Sequence, residues 1–318
     1  MSSRYLITGA TGYVGSMLVR HLHNQGEHVI ALVRNLDKAR EMLSGVELLQ
    51  SDLTNSESVR SLAAVQCDNI VHCAAVTASA EMRRHPVEVM RSIVNATQNI
   101  LELARRIQLR SMVYVSSMEV YGKLDCKDGH RASEAEAGCG EIDLLAARSC
   151  YPLGKRTAEN LCAAYSMEYQ VPVKIARLAQ TFGKGVLPSD KRVFAQFARA
   201  AVNGKDIVLH TEGRSMGNYC AIEDAVAGLM AILERGKNGE AYNVANEENT
   251  MSIREMAELA ADVLSGGKSR VVMDIPPDNR YGYAADTGLR LSSEKLMALG
   301  WRPTKNLRQM FLDMVETM

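Results

Sequence analysis

A tyrosine and a lysine placed four residues apart are the side chains of this chain that most directly suggest chemistry. Tyr151 and Lys155 lie in the segment S-C-Y-P-L-G-K-R-T-A-E, where Pro152 suits the first turn of a helix. Residues at this spacing share one helix face, so the Lys155 ammonium would lower the pKa of the Tyr151 phenol from about 10 towards neutrality. Such a phenol can act as a general base or acid on a hydroxyl or a ketone. The same spacing is also common on solvated helix faces.

Two serines and a glutamate follow an apolar run elsewhere in the chain. The run S-M-V-Y-V-S-S-M-E-V-Y-G predicts a strand over residues 111–116 that ends beside Ser117 and Glu119. Strand ends of this kind present ligands in a doubly wound sheet. Ser117, or Ser116 in its place, could bond the reacting oxygen, and Glu119 is a further candidate catalytic residue beside them. The serines could instead cap the next segment, and Glu119 could bond to the backbone.

A glycine-rich turn near the start of the chain predicts a dinucleotide-binding unit. Residues 5–15 read Y-L-I-T-G-A-T-G-Y-V-G, an apolar strand followed by glycines and then by helical apolar spacing. The glycines allow a tight turn, close approach of a pyrophosphate and close packing of the helix on the strand. The phosphates would lie at the helix N-terminus. An ordinary strand–helix turn is the alternative. The candidate cofactor-binding residues here are Gly9, Thr11, Gly12, Tyr13, Val14 and Gly15.

Short apolar runs alternate with helical runs, which predicts an α/β fold with a doubly wound, Rossmann-like parallel sheet. We expect a dinucleotide-binding domain over residues 1–180. A smaller C-terminal α/β substrate lobe is expected over residues 181–318, with some strands and helices returning to the first domain. Predicted strands after the first cover residues 28–33, 46–50, 69–73, 111–116, 173–177, 207–209 and 241–244. Predicted helices cover residues 16–25, 37–43, 56–64, 87–107, 152–169, 192–203, 223–234, 252–264 and 292–299.

Composition narrows the possible partners. The 318 residues are 47% hydrophobic and carry a formal net charge of zero, so no basic field favours nucleic acid or anionic lipid. No apolar run is long enough to span a membrane, and the chain opens on a strand without a signal peptide. The seven cysteines lack C-x-x-C spacing, so we expect a cytoplasmic protein without a metal site.

Taken together, these motifs resemble the extended short-chain dehydrogenase/reductase family of nucleotide-sugar epimerases, dehydratases and decarboxylases. The resemblance covers nearly the whole chain. It includes the glycine loop, the H-C-A-A run at residues 72–75, the R-L-A-Q-T-F-G run at residues 177–183 and the L-G-W-R-P run at residues 299–303. The segment R-S-C-Y-P-L-G-K-R-T-A-E is also similar to the UDP-glucuronate decarboxylase branch.

The resemblance implies roles for individual residues. Ser117, Tyr151 and Lys155 correspond to the catalytic triad, and Asp52 with Leu53 corresponds to the adenine-contacting pair. It adds Ala74, Ala75, Tyr151 and Lys155 to the cofactor-binding set, and Thr77 and Gln180 to the substrate-binding set. The implied activity is NAD(P)-dependent epimerisation of a nucleotide sugar through a transient ketone. A decarboxylase or an NADPH-dependent reductase of a keto-sugar or other small carbonyl compound remains the alternative. A homodimer is implied through the helices at residues 87–107 and 152–169.

Several positions depart from the family pattern. Arg34 follows the second strand where NAD binders carry an acid, which favours NADP over NAD, while Asp37 is expected to cap the next helix. Met118 replaces an aspartate that assists water elimination, so dehydration is disfavoured. Residues 217–219 read G-N-Y and lack the arginine that grips the nucleotide phosphates. Arg214 and Arg280 are its candidate substitutes, unless both are surface charges.

Overall fold

The computed structural model describes residues 3–107, 109–126, 128–187, 189–277 and 286–318. In these ranges the strands are β1 (Arg4–Thr8), β2 (His28–Val33), β3 (Glu47–Gln50), β4 (Asn69–His72), β5 (Ser111–Ser117), β6 (Val173–Leu178), β7 (Gln180–Phe182), β8 (Ile207–Leu209), β9 (Met216–Ala221), β10 (Ala241–Val244), β11 (Asn246–Ser252) and β12 (Val271–Met273). The α-helices are α1 (Tyr13–Asn24), α2 (Leu36–Met42), α3 (Ser56–Arg60), α4 (Ser79–Arg84), α5 (Pro86–Arg106), α6 (Cys150–Tyr169), α7 (Val193–Val202), α8 (Ile222–Arg235), α9 (Ile253–Leu264), α10 (Glu294–Met297) and α11 (Leu307–Val315).

The central layer is a seven-stranded sheet in the order β10-β6-β5-β4-β1-β2-β3. All of its neighbouring strands run parallel. The order reverses between β1 and β4, which is the point where a doubly wound sheet opens a crevice for ligands. The predicted α/β, Rossmann-like fold with a smaller C-terminal lobe is therefore confirmed.

Both faces of the large sheet are covered because its strands are almost continuously apolar. Helices α1 and α8 enclose one core with side chains such as Ile7, Leu18 and Leu229. On the opposite face, α5 and α6 enclose a second core that includes Leu6, Ile100 and Cys162. A third core, around Phe182, Phe194 and Phe311, lies in the smaller lobe. There, β11, β9 and β7 form a separate sheet, and β12 pairs with β8.

The two parts of the chain are interleaved. Strand β10 lies downstream of the boundary expected at residue 181, yet it pairs with β6 at the edge of the large sheet, with Val244 beside Leu178. Helix α8 also packs against this sheet. The chain therefore leaves the large sheet after β6, builds part of the smaller lobe and returns.

Two further properties concern the described ranges as a whole. None of their helices is long and apolar enough to cross a bilayer. Their His, Cys, Asp and Glu side chains form no group of three that could hold a metal ion. All seven cysteines are free thiols, and five of them are buried.

Candidate active site

The glycine turn between β1 and α1 has no room for side chains. Gly9 has a φ of +66°, and a Cβ added there would lie 2.7 Å from the Ala74 nitrogen. A Cβ on Gly15 would collide with the Gly9 carbonyl group, its carbon being only 2.8 Å away. Gly12 is the N-cap of α1. The turn thus packs directly on the chain after β4, and the free N–H groups of α1 face the crevice.

A buried histidine fixes the neighbouring strand end. The His72 ring bonds to Thr8 Oγ1 at 2.6 Å and to Thr97 Oγ1 at 3.2 Å. The Ala74 nitrogen donates to Thr8 Oγ1 at 3.2 Å. Burial, reinforced by the Lys155 charge, lowers the pKa of His72 to about 3, so the ring is neutral. His72 is therefore a structural connection between β1, β4 and α5, and through Thr8 it helps to hold Ala74 against Gly9.

The predicted catalytic side chains meet at the carboxyl end of β5. Helix α6 begins at Cys150, which places Tyr151 and Pro152 in its first turn. Burial and the negative charge of Glu119 raise the pKa of Tyr151, and a hydrogen bond from Ser117 lowers it by less. Ser117 also accepts the Glu119 N–H at 3.3 Å. Ser116, the alternate, is directed away from this point because its hydroxyl donates to Glu159 at 2.6 Å.

The expected acidification of Tyr151 by Lys155 is wrong in this structure. Burial, followed by the negative charge of Glu119, raises the pKa of the Tyr151 phenol above its ordinary value. The Lys155 Nζ atom donates instead to the Val115 carbonyl at 2.7 Å and lies 5.9 Å from the Tyr151 ring centre. The two residues are neighbours, as the spacing predicted, but the ammonium is bound to the backbone of β5.

Lys155 is itself 2% exposed. Burial lowers its pKa to about 8, against the opposing charges of groups such as Glu159. Its charge in turn affects the pKa values of His72 and Cys73 on β4 and the segment after it. The Lys155 charge therefore acts on the end of β4 and on the segment after it, which packs on the glycine turn.

Glu119 forms a bidentate ion pair that the sequence did not suggest. Arg148 Nη1 and Nη2 lie 2.6 and 2.7 Å from the two Glu119 oxygens. The pair is half-buried beside Tyr151: the Glu119 charge raises the pKa of the phenol, and the Arg148 charge lowers it. Glu119 and Arg148 therefore have opposing effects on the pKa of Tyr151. The sequence feature that could have indicated this pair is the position of Arg148, three residues before Tyr151.

A second ion pair, between Arg177 and Glu159, fixes helix α6 next to the site. Arg177 on β6 donates to Glu159 on α6 over 2.7 to 3.1 Å, and it also donates to the Glu134 carbonyl at 2.8 Å. Burial opposes the charge of Arg177, but the bonds to Glu159 outweigh it and raise the pKa of the guanidinium. Because Glu159 also accepts from Ser116, this network fixes α6 against the end of β5.

At the far end of the crevice, Arg34 is exposed after β2, and its carbonyl accepts from Gln50 at 3.0 Å. Asp52 bonds to the Thr54 backbone and hydroxyl at 2.9 and 2.8 Å, and these bonds, with the Arg34 charge, lower its pKa. The Leu53 carbonyl accepts from Asn99. The cap of α2 is Asn35, which bonds to the Lys38 nitrogen, so the expected cap at Asp37 is wrong.

The predicted substrate residues are more scattered. Thr77 is exposed after β4, and Gln180 is half-buried at the start of β7. Arg214 is exposed and lies 3.8 Å from Glu212. Arg280 lies outside the described residues. Within the described part of the chain, Thr77, Gln180 and Arg214 form no hydrogen bond or ion pair with Tyr151.

The Gly217 position is physically closed to a larger side chain. A Cβ built there would contact the Tyr219 phenol, with the ring carbon Cζ at 2.6 Å. Tyr219 is fully buried, and its hydroxyl has no hydrogen-bond partner among the described residues. The Tyr219 ring thus fills the space that a larger side chain at residue 217 would need.

Arg192 is a second cation that sequence reasoning missed. Its guanidinium lies 5.9 Å from the ring centre of Tyr13 and bonds to Asp190 at 2.6 Å and the Thr181 carbonyl at 3.1 Å. Its charge lowers the pKa of both Tyr13 and Tyr151, against their burial. Arg192 therefore lies between the glycine turn and the catalytic cluster. The K-R pair directly before an apolar helix was the available signal.

Comparison with known proteins agrees with this arrangement. The model of the NAD-dependent epimerase/dehydratase family matches residues 5–245. UDP-glucuronic acid decarboxylase 6 of Arabidopsis thaliana is 28% identical over 313 residues, covering 96% of this chain and 86% of that protein. An epimerase structure from Methanothermobacter thermautotrophicus has a TM-score of 0.84 at 25% identity and covers 99% of this chain and 91% of its own. UDP-glucose 4-epimerase of Thermotoga maritima gives a TM-score of 0.83 at 19% identity, covering 99% and 98%. The chain therefore belongs to the NAD-dependent epimerase/dehydratase family and is an enzyme of the extended short-chain dehydrogenase/reductase type.

Proposed function

We propose that the protein oxidises a hydroxyl of a nucleotide sugar to a transient ketone and re-reduces it within the same turnover, which inverts one carbon centre. The observation that carries this proposal is the position of the Tyr151 phenol. It is buried at the carboxyl end of the parallel sheet, bonded to Ser117 and next to Lys155, which is held by the Val115 carbonyl of β5. In its deprotonated form, as a phenolate, Tyr151 can take a proton from a substrate hydroxyl and later return it, while Ser117 holds the same oxygen.

The residues present fit a dinucleotide. The cradle beside Gly9 and Gly15 is closed to any Cβ, and the N-terminus of α1 is free to receive a pyrophosphate. A bound NAD(P)+ would accept and return the hydride. Arg34 supports our preference for NADP, because residues 33–35 at the end of β2 include no carboxylate that would bond a ribose 2′-hydroxyl.

Decarboxylation of a sugar acid is the second candidate. It is favoured by the similarity to UDP-glucuronic acid decarboxylases over 96% of the chain. Oxidising the hydroxyl at the position β to a carboxylate makes a β-keto acid, which loses carbon dioxide readily. Re-reduction then gives a pentose rather than an epimer.

The diphosphate of the substrate needs a cation, and we infer that Arg192 supplies it. The guanidinium is oriented by Asp190 and lies near Tyr13 of the glycine turn. We expect Arg192→Met to raise the KM for a nucleotide sugar at least tenfold with little change in kcat. Arg214→Met is the matched control, and we expect it to leave KM within twofold because that side chain is exposed beside Glu212. Equal effects of the two variants would refute the assignment.

The experiment that separates the candidates is incubation with UDP-glucose, UDP-N-acetylglucosamine and UDP-glucuronate, followed by proton NMR. A new sugar of unchanged mass indicates epimerisation, whereas a UDP-pentose with release of carbon dioxide indicates decarboxylation. Consumption of NADPH in proportion to product indicates a reductase instead. No conversion of any of the three, with loaded cofactor confirmed by mass spectrometry, would contradict the proposal for these nucleotide sugars.

We also propose that the protein is a homodimer through α5 and α6. These helices pack together, and their outer surface exposes Val87, Met167 and Tyr169. Exposed apolar side chains at helix surfaces suit a self-complementary interface. Sedimentation velocity at micromolar concentration should give a dimer, and Met167→Glu should shift it towards monomer.

A further inference from the structure

A polar cavity lies at the amino-terminal ends of the strands of the large sheet, whereas the catalytic cluster lies at their carboxyl ends. Its volume is about 310 Å³. The residues that line it include Tyr5, Asn69, Ser111 and Lys174, which stand at or near the first residues of β1, β4, β5 and β6. Because the strands are parallel, their first residues lie together at one end of the sheet, and Ser117 lies at the opposite end. We call this feature the basal cavity, and the proposed reaction makes no use of it.

Lys174 gives the basal cavity a buried cation. The residue is 5% exposed, and its Nζ donates to Ser111 Oγ at 2.7 Å and less closely to the Pro172 carbonyl at 3.4 Å. The Ser111 hydroxyl in turn donates a hydrogen bond to the Leu233 carbonyl at 2.6 Å. Among the residues that the structure describes, no carboxylate forms an ion pair with Lys174. A buried ammonium without a counter-charge is costly, so an anion in the cavity would stabilise it.

The other lining groups reinforce this preference. Arg110 contributes a second cation, and it too has no ion pair within the described ranges. Asn69 is 5% exposed, yet its side-chain amide bonds to none of the described residues. Of the lining residues that the structure describes, Glu234 alone carries a carboxylate; it lies 2.9 Å from Arg235 and is partly neutralised by it. Two cations, an amide, three hydroxyls (Ser3, Tyr5 and Ser111) and the Glu234 carboxylate thus surround a space of small-ligand size.

We propose that the basal cavity binds a small oxyanion, namely a phosphate group supplied either as inorganic phosphate or as a small phosphate monoester. Lys174 provides the charge at the closed end of the cavity, and Arg110 the charge at its exposed rim. Asn69 and Ser111 offer hydrogen-bonding groups between them. The site is separate from the crevice above β4 and β5, so occupancy does not compete with a nucleotide.

The charge state of Lys174 gives the site a pH signature. Burial lowers its pKa to about 8. The charged and titratable groups on the neighbouring elements are Arg110 before β5, Glu234 on α8, Glu27 before β2 and Tyr5 on β1. Glu27 accepts from the Ser3 nitrogen at 2.7 Å, and the pKa of Tyr5 is raised first by burial and then by the Glu27 charge. Since an anion favours the protonated amine, its affinity should be constant well below pH 8 and should fall as the pH rises through that value.

Isothermal titration calorimetry tests the proposal, with sulfate as a non-titrating oxyanion and with inorganic phosphate and glycerol 3-phosphate as the two sources. At pH 7 and constant ionic strength, we expect one site per chain. Lys174→Met should weaken binding at least tenfold, and Arg110→Met should weaken it several-fold. Arg192→Met, which removes a cation at the catalytic crevice, should leave it unchanged. Tighter binding of glycerol 3-phosphate than of phosphate would identify a monoester as the ligand class, and the reverse would identify the free ion.

Absence of binding by the wild-type protein to all three anions at 10 mM, roughly the weakest affinity worth assigning, would overturn the proposal. Equal affinity in wild-type, Lys174→Met and Arg110→Met would do the same, since the anion would then lie elsewhere. If Lys174→Met does not fold, the exposed Arg110→Met decides the question on its own.

Discussion

Replacing Glu159 by glutamine should destabilise the protein by about 3 kcal/mol, because it leaves the Arg177 guanidinium buried without a counter-charge. Arg177 and Glu159 are 7% and 9% exposed and share three contacts of 2.7 to 3.1 Å. Breaking a buried pair costs about 3–5 kcal/mol, and the lower end applies here because the glutamine oxygen can still accept from Ser116. For 318 residues, an unfolding entropy of about 2.1 cal/mol/K per residue converts this loss into a fall in Tm of roughly 4–5 °C.

Differential scanning calorimetry and urea unfolding would measure the loss. The matched control is Glu258→Gln in the Arg254–Glu258 pair, whose side chains are 54% and 51% exposed. Exposed pairs of this kind contribute about 0.5 kcal/mol or less. The double variant Glu159→Met/Arg177→Met should recover most of the lost stability, since it removes both charges. If Glu159→Gln melts within 1 °C of the wild type, as we expect for the control, the electrostatic reasoning is refuted.

Three further predictions concern the site. Tyr151→Phe should abolish turnover while dinucleotide binding persists; more than a few per cent of residual activity would remove Tyr151 from its role. Glu119→Gln removes the negative charge that raises the pKa of Tyr151, so the acidic limb of the kcat/KM profile should move to lower pH, and Arg148→Met should move it in the opposite direction. An unchanged profile in both variants would argue against Tyr151 as the titrating base. Arg34→Glu should weaken NADP binding at least tenfold more than NAD binding in a fluorescence titration; parallel losses would show that Arg34 does not contact the 2′-phosphate.

The sequence predicted the large sheet well because parallel strands buried on both faces are continuous apolar runs. The predicted bounds of β2 and β10 coincide with those observed. Strand β9 was missed because it reads M-G-N-Y-C-A and includes a polar residue at its centre. Its Asn218 is fully buried and donates to the Leu289 carbonyl, 71 residues away. No local pattern predicts a polar core residue whose partner is so distant.

The same distinction applies to the site. Spacing along a helix predicts that Tyr151 and Lys155 are neighbours, because that relation is local. The depth of burial and the charges that determine the phenol's pKa are set by the tertiary fold. Arg148 and Glu119 are 29 residues apart in sequence, and Arg192 reaches Tyr13 from another lobe. These contacts depend on how the segments pack, and one sequence without that packing does not specify them.

The return of β10 to the large sheet has a consequence for synthesis on the ribosome. Until residue 244 has left the exit tunnel, the side of β6 that faces β10 has no partner strand. All of its residues, Val173–Leu178, are buried in the folded protein. Such an unpaired edge is open to pairing with other nascent chains. A fragment that stops at residue 180 would keep this edge permanently, so we expect it to accumulate in inclusion bodies, whereas extension through β10 would complete the sheet.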